Sequence, residues 1–241
     1  VPGLRLSVVY FNIRVNDVIT TLGPLDIIRN CEAGLSSFCD LLVLDAGTGN
    51  LLQVNDQFIN LASYKTSGVD IIAAYQAPLG AGSINFRGAA TYVRNFTITT
   101  PSTPPVVVET AGMNGTINPF SIPHWKANAT IGYSTDRFSV NLQGRYVGPG
   151  RLDNALLEYA TPTSQPDISP QDNHVPAYVV FNIGGTFNVL DQERGQIFWN
   201  IDNIFNRDPL LVPNLSSGIQ TNGSLYDVLG RYYRVGVRFK F

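Results

Sequence analysis

The chain has 241 residues, of which 44% are hydrophobic and only 14% are charged, whereas charged residues make up about a quarter of an ordinary soluble domain. No uninterrupted apolar run approaches the ~18 residues that a membrane-spanning helix needs, and the net charge of −2 lacks the basic excess that nucleic-acid-binding proteins carry. The composition therefore argues against a helical membrane protein and a nucleic-acid partner, and it favours apolar residues spread at alternate positions along β-strands.

The first predicted element is a strand over 4–19, and the region after it contains both cysteines. Pro24–Arg29 predicts one or two helical turns, because proline is favoured at the first position of a helix. Cys31 and Cys39 lack the further Cys or His ligands that a zinc site needs. A disulfide between them is expected in an oxidising compartment, and two unpaired thiols are expected in a reducing one. The segment Asp45–Asn50 predicts a tight turn between two short apolar runs.

Seven further segments alternate between apolar and polar residues with a period of two, which is typical of strands with one apolar face. They cover roughly 57–77, 83–96, 124–133, 137–147, 177–190, 196–206 and 226–241. Short turns alternate with long connections over 20–55, 97–123, 148–176 and 207–225. Long strands joined in this rhythm are typical of outer-membrane barrels. The predicted fold class is therefore all-β: an antiparallel transmembrane β-barrel segment of about eight strands, with long extracellular loops and short periplasmic turns.

The segment 232–241 shows the alternation most clearly, because one face is wholly apolar and the other carries cations. We predict that it is the barrel-closing strand with a terminal aromatic signal, and that its apolar face consists of Tyr233, Val235, Val237, Phe239 and Phe241. Cations at polar positions of this and earlier strands are expected to face the lumen. These lumen-facing candidates are Arg87, Arg145, Arg234, Arg238 and Lys240.

Five stretches, in this order along the chain, resemble strands of TonB-dependent outer-membrane receptors. They are Tyr10-Phe11-Asn12-Ile13 with Asp17, Thr66-Ser67-Gly68-Val69-Asp70 with Tyr75, Pro123-His124-Trp125-Lys126-Ala127 with Tyr133, Asn203-Ile204-Phe205-Asn206 with Pro209, and the run YDVLGRYYRVGVRFKF from Tyr226. The resemblance implies that 1–241 is the carboxyl-terminal portion of a barrel of about 22 strands. The plug domain and the earlier strands are then expected outside the chain. Its start at Val1-Pro2-Gly3, without an initiator Met, also favours a fragment.

The resemblance implies part of an active transporter in the bacterial outer membrane that imports a scarce ligand, such as a siderophore or another metal chelate. The implied partners are outer-membrane lipid, the protein's own plug domain, the TonB complex and a small-molecule ligand. Two alternatives remain at this point. One is a small self-contained outer-membrane barrel that serves as a porin, adhesin or anchor, and the other is a soluble extracellular β-sandwich that binds a ligand.

Catalytic chemistry finds little support, because the sequence contains none of the common nucleophile, zinc-protease or phosphate-binding motifs. The only histidines are His124 and His174. Asp172 and His174 are close enough in sequence to suggest a dyad, but two polar residues in a loop are more often solvated surface. We therefore expect no enzyme activity, no catalytic residue, no metal site and no cofactor.

Overall fold

A computed structural model describes residues 2–20, 24–100, 106–115, 121–154, 158, 172–189, 195–212 and 220–239. Two short helices are present, α1 (Pro24–Glu32) and α2 (Ser36–Cys39). The strands are β1 (Leu4–Thr20), β2 (Leu42–Leu44), β3 (Leu51–Val54), β4 (Ile59–Leu79), β5 (Gly82–Thr100), β6 (Val106–Glu109), β7 (Trp125–Ser134), β8 (Phe138–Val147), β9 (Gly150–Arg151), β10 (His174–Val175), β11 (Tyr178–Asn188), β12 (Gly195–Asp202) and β13 (Tyr232–Phe239). Among the described residues, no helix has the length and apolar composition needed to cross a membrane.

Nine of these strands form one sheet. Eight follow the order β1-β4-β5-β7-β8-β11-β12-β13, so each pairs with the next long strand along the chain, and the short β6 pairs with β5. The ladders that join neighbouring strands from β5 through β7, β8, β11 and β12 to β13 are antiparallel. The order begins with β1 and ends with β13, and no pairing joins those two strands within the described residues. All eight predicted strands are thus present, in an open sheet.

The ends of three predicted strands were wrong by four residues or more. β5 continues to Thr100 rather than ending at Phe96, because residues 97–100 pair with β6. β12 ends at Asp202 rather than near Asn206, because Asn203 and Asn206 both adopt left-handed backbone conformations, with φ of 48° and 50°. Such angles interrupt a strand, and asparagine tolerates them better than most residues. β13 begins at Tyr232 rather than at Tyr226, because residues 226–231 form the end of the connection before it.

The strand register joins the apolar positions of neighbouring strands into continuous rows. Leu142 of β8 lies opposite Ile131 of β7 and Ile183 of β11. The same row continues to Ile201 of β12 and Tyr233 of β13. We call this side of the sheet the apolar face. Opposite side chains on one face of a sheet contact each other, so these rows form one apolar surface.

The apolar face is exposed rather than covered by other parts of the protein. On β13, Tyr233, Val235, Val237 and Phe239 expose 60%, 77%, 62% and 58% of their surface. On β1, Leu4, Leu6 and Val8 are also more than a third exposed. An apolar area of this extent exceeds what monomeric proteins usually leave in contact with water.

The chain divides into two compact units, which we describe separately. Unit 1 comprises residues 1–11, 67–94 and 110–241, and unit 2 comprises residues 12–66 and 95–109. Unit 1 contains a small core at the end of the sheet where the long connections begin. Its buried members are Val147, Val175, Tyr178, Val180, Val212, Leu225 and Tyr226.

Unit 2 contains the two helices, which pack on a core of Ile27, Phe38 and Leu41. The predicted pairing of Cys31 with Cys39 is confirmed, since the two sulfurs form a disulfide. The predicted helix after Pro24 and the turn between β2 and β3 are also present. In that turn the Thr48 hydroxyl, the Thr48 N–H and the Gly47 N–H all donate to Asp45, and these hydrogen bonds lower the pKa of its carboxyl group.

Replacing both cysteines by serine is expected to destabilise the helical part of unit 2 by about 2.5 kcal/mol, because the disulfide restricts the unfolded chain between them. The measurement is hydrogen exchange of the α1 and α2 amides. Ser37→Ala, at an exposed position of α2, is the matched control and should leave the exchange unchanged. Unaltered protection of both helices in the double serine variant would show that the disulfide does not support this unit.

Candidate ligand-binding site on the polar face of the sheet

The side of the sheet opposite the apolar face carries mostly polar residues, and we call it the polar face. Four of the predicted lumen-facing cations occupy strand positions on this face: Arg87 on β5, Arg145 on β8, and Arg234 and Arg238 on β13. Arg87 lies in register with Thr130, Arg145 with Asn128, Arg234 with Asn200 and Arg238 with Gln196. Lys240 and Phe241, the other residues predicted for this end of the chain, lie outside the described residues.

Hydrogen bonds between neighbouring strands tie the polar face together. The Asn182 amide donates to Gln143 at 3.0 Å, and the Ser139 and Thr186 hydroxyls lie 2.7 Å apart. Two carboxylates of this face have partners on neighbouring strands. Asp70 accepts from the Thr91 hydroxyl at 2.6 Å, and Asp202 forms an ion pair with Arg234 at 2.8 Å.

A cavity of about 390 Å³ lies on the polar face at the end where the long connections begin. Strands β5, β7, β8 and β11 form its wall, and the connection between β12 and β13 contributes the remaining side. The polar and charged side chains around it are Thr91, Lys126, Asn128, Arg145, Tyr178, Ser224 and Asp227. Ligand sites are usually concave, with a few convergent polar groups, so this is the candidate site. We call it the wall cavity.

The β12–β13 connection is held in place by a buried asparagine at its start. Asn203 is 1% exposed. Its backbone N–H donates to the Asn182 side chain at 2.9 Å, and its side-chain oxygen accepts from the Arg207 N–H at 2.8 Å. The Asn203 amide nitrogen donates to the Arg207 carbonyl and to the Asp227 carboxylate, both at 2.9 Å. The Asn203 side chain thus joins the two ends of the connection, and its backbone N–H bonds to β11.

Aromatic contacts secure the same connection against β11. The Arg207 guanidinium lies 4.9 Å from the centre of the Tyr178 ring and donates to the carbonyl of Ala177 at 3.0 Å. The Tyr226 ring meets the Tyr178 ring edge-on, with centres 5.1 Å apart. Burial raises the pKa of the Tyr226 phenol to about 12, with the nearby Asn114 side chain opposing the shift. This phenol therefore stays neutral at physiological pH.

The predicted long connection over 148–176 is described only in part. Glu158 accepts from the Asn173 N–H at 3.0 Å, and Asp172 accepts from the His174 N–H at 2.7 Å. Asp172 therefore bonds to the backbone of His174. His124 contacts the carbonyl of Val93 at 2.7 Å and stacks on Tyr92. Within the described residues, no group of three or more His, Cys, Asp or Glu side chains has the arrangement of a metal site.

Sequence reasoning identified Arg145 but missed Lys126, Asn203 and Asp227 as residues of this site. Lys126 was detectable, since it shares its parity along β7 with Asn128 and Thr130. Asn203 was visible only as part of the stretch that resembles the receptor family. No sequence pattern marked Asp227 as a site residue, because this residue was assigned to the predicted strand over 226–241.

A family model described as the β-barrel of TonB-dependent receptor-like proteins matches residues 2–204. No curated protein matches the chain at a significant level. Among solved structures, the siderophore receptor PirA from Acinetobacter baumannii is 14% identical, with a TM-score of 0.55 over 100% of this chain and 30% of its own. The iron transporter FrpB from Neisseria meningitidis is 14% identical, with a TM-score of 0.55 over 100% of this chain and 29% of its own.

The copper transporter OprC is also similar, at 14% identity and a TM-score of 0.53, over 100% of this chain and 29% of its own. The chain thus spans about three tenths of the length of these structures. At such identities the likeness shows the fold, and that fold confirms the predicted antiparallel barrel wall and excludes the β-sandwich. The match over most of its length shows that the chain belongs to the family of TonB-dependent receptor-like β-barrels.

Proposed function

We propose that the chain forms part of the barrel wall of an outer-membrane active transporter that imports a scarce small ligand, such as a metal chelate, with energy supplied through TonB. The observation that carries this proposal is the sheet itself, in which registered apolar rows on one face oppose a polar face. The chain covers only about three tenths of each solved relative. This coverage supports the proposal that 1–241 is the carboxyl-terminal portion of a larger barrel, with a plug domain outside the chain.

In this arrangement the apolar face contacts the lipid of the bacterial outer membrane. Exposing the apolar face to water would be unfavourable, because removing apolar surface from water is worth about 25 cal/mol of free energy per Å². Barrels alternate lipid-facing and lumen-facing residues along every strand. The polar face then lines the lumen, with Arg87, Arg145, Arg234 and Arg238 directed inward. The long connections lie on the extracellular side and the short turns on the periplasmic side.

The plug domain is the proposed partner of the polar face. Arg5 and Arg87 line a second, more open cavity of about 500 Å³ near the short-turn end. Neither arginine side chain forms a hydrogen bond or an ion pair with another residue in the part of the chain that the structure describes. A cation in a water-poor lumen needs a partner, and a plug with acidic or carbonyl groups facing these strands would supply one.

We propose that the wall cavity forms part of the ligand-binding site. It lies at the long-connection end, which is the extracellular end in this arrangement. The solved relatives include proteins described as a siderophore receptor, an iron transporter, a copper transporter and a ferric enterobactin receptor. These descriptions support a metal-containing ligand for the present chain as well.

The test of transport uses cells that carry the complete receptor and are grown with iron as the limiting nutrient. We expect uptake of labelled ferric siderophores from a mixed set to require both the receptor and TonB, and to stop when a protonophore collapses the membrane potential. Receptor-dependent passage of small sugars that persists without TonB would instead identify a passive porin, which is one form of the self-contained barrel given as the alternative. Receptor-independent uptake of every siderophore would contradict this choice of ligand.

A further inference from the structure

The wall cavity is lined by charges of both signs, and they come from different parts of unit 1. Lys126 and Arg145 are on β7 and β8, whereas Asp227 belongs to the connection between β12 and β13. In a site for a simple anion, a carboxylate would repel the ligand. The presence of Asp227 therefore bears on which ligand the cavity accepts.

The two cations are available to a ligand. Arg145 lies opposite Asn128 in the β7–β8 ladder, and Lys126 lies two positions before Asn128. Such diagonal neighbours are about 7–8 Å apart at their Cα atoms, within reach of each other's long side chains. Both side chains are exposed, and neither forms a hydrogen bond or an ion pair with another residue in the part of the chain that the structure describes. One carboxylate or phosphate group can contact both.

The carboxylate of Asp227 is fixed in position but is not saturated. One oxygen accepts from the Asn203 amide at 2.9 Å, and the other accepts from the Leu229 N–H at 3.2 Å. An ionised carboxylate has about four acceptor sites, so it retains capacity for further donors. Asn203, held by β11 and Arg207, sets where this negative charge lies.

We propose that the wall cavity binds a zwitterionic group, with Lys126 and Arg145 holding its anionic end and Asp227 receiving its ammonium or other cationic end. Asn203 is the positioning residue for Asp227. A ligand of this class carries an amino-acid-like or peptide-like portion. The inference rests on the proposed function, since it concerns the same cavity, and it adds the charge pattern that the ligand must present there.

The experiment measures equilibrium binding of three probes with the same carbon chain to the complete purified receptor at low ionic strength. The probes are succinate, which is a dianion, 4-aminobutanoate, which is a zwitterion, and 1,4-diaminobutane, which is a dication. We expect 4-aminobutanoate to bind about tenfold more tightly than either of the others, because only it satisfies both signs of charge.

Asp227→Asn should reverse this order. The variant keeps the shape of the side chain and removes its charge, so 4-aminobutanoate should lose about tenfold in affinity and succinate should become the preferred probe. Asp208→Asn is the matched control, because Asp208 is exposed on the same connection and does not line the cavity. It should leave the order of the three probes unchanged.

Asn203→Ala tests the positioning role. If Asn203 acts through Asp227, its replacement should change the order of the probes as Asp227→Asn does, and the double variant should lose nothing further. A purely structural role would weaken all three probes alike. If Asn203→Ala does not fold, Asp227→Asn and its control decide the proposal alone.

Succinate as the best probe for the unaltered receptor, no binding of any probe, or an unchanged order in Asp227→Asn would each overturn the zwitterionic site. None of these results bears on energy-dependent uptake, which is measured separately in cells. Conversely, loss of TonB dependence would contradict the transport proposal without changing the binding order of the probes.

Discussion

Replacing Leu142 by arginine is expected to destabilise the bilayer-folded protein by about 2–4 kcal/mol. Leu142 lies in the middle of β8 on the apolar face, opposite Ile131 and Ile183. If that face contacts lipid, the guanidinium enters hydrocarbon and loses its hydration. The measurement is reversible folding of the complete receptor into phospholipid vesicles, followed by tryptophan fluorescence.

The matched control is Asn141→Arg, at the neighbouring position on the polar face. Asn141 is exposed, so an arginine side chain there can extend away from the sheet. We expect a change below about 1 kcal/mol, because the arginine would point into a polar lumen. An equal loss in both variants would mean that the two faces do not differ in their surroundings, and it would contradict the membrane assignment.

Asn203→Ala is expected to destabilise the β12–β13 connection by about 3 kcal/mol. The replacement removes three side-chain hydrogen bonds, to two backbone groups of Arg207 and to Asp227. The groups left behind are partly buried, and each unsatisfied group costs about 1–3 kcal/mol. The left-handed backbone at this position adds a further cost for alanine.

Hydrogen exchange of the amides over 220–231 measures this effect directly. Asn206→Ala is the control, since Asn206 is exposed, also has a positive φ, and accepts one bond from the Arg231 N–H at 2.9 Å. We expect a loss of about 1 kcal/mol there. Equal exchange in the two variants would show that Asn203 does not hold the connection in place.

The wall strands could be predicted from the sequence because alternation is a local property. Each polar or apolar face is visible in a handful of neighbouring residues, as in Phe138–Val147, and it needs no knowledge of the partner strand. The turn after Asp45 and the helix after Pro24 were predictable for the same reason, since their signals are local too.

The wall cavity could not be predicted, because its charges come from distant parts of the chain. Lys126 and Arg145 are neighbours only through the β7–β8 register, and Asp227 lines the same cavity because Asn203 and Tyr178 hold the connection in place. The erroneous end of β12 has the same origin. Alternation continued through Asn203, whereas the turn there depends on bonds to Asn182 and Asp227, which are far away in the sequence, as well as on local bonds to Arg207.

The lipid-facing orientation of the sheet is the central claim, and spin labels placed singly along β8 test it most directly. In the complete receptor in vesicles, labels at Val140 and Leu142 should collide with dissolved oxygen and be shielded from a water-soluble nickel chelate. Labels at Asn141 and Gln143 should show the reverse. Nickel access that is equal at all four positions, or the opposite alternation, would contradict a wall whose apolar face contacts the membrane.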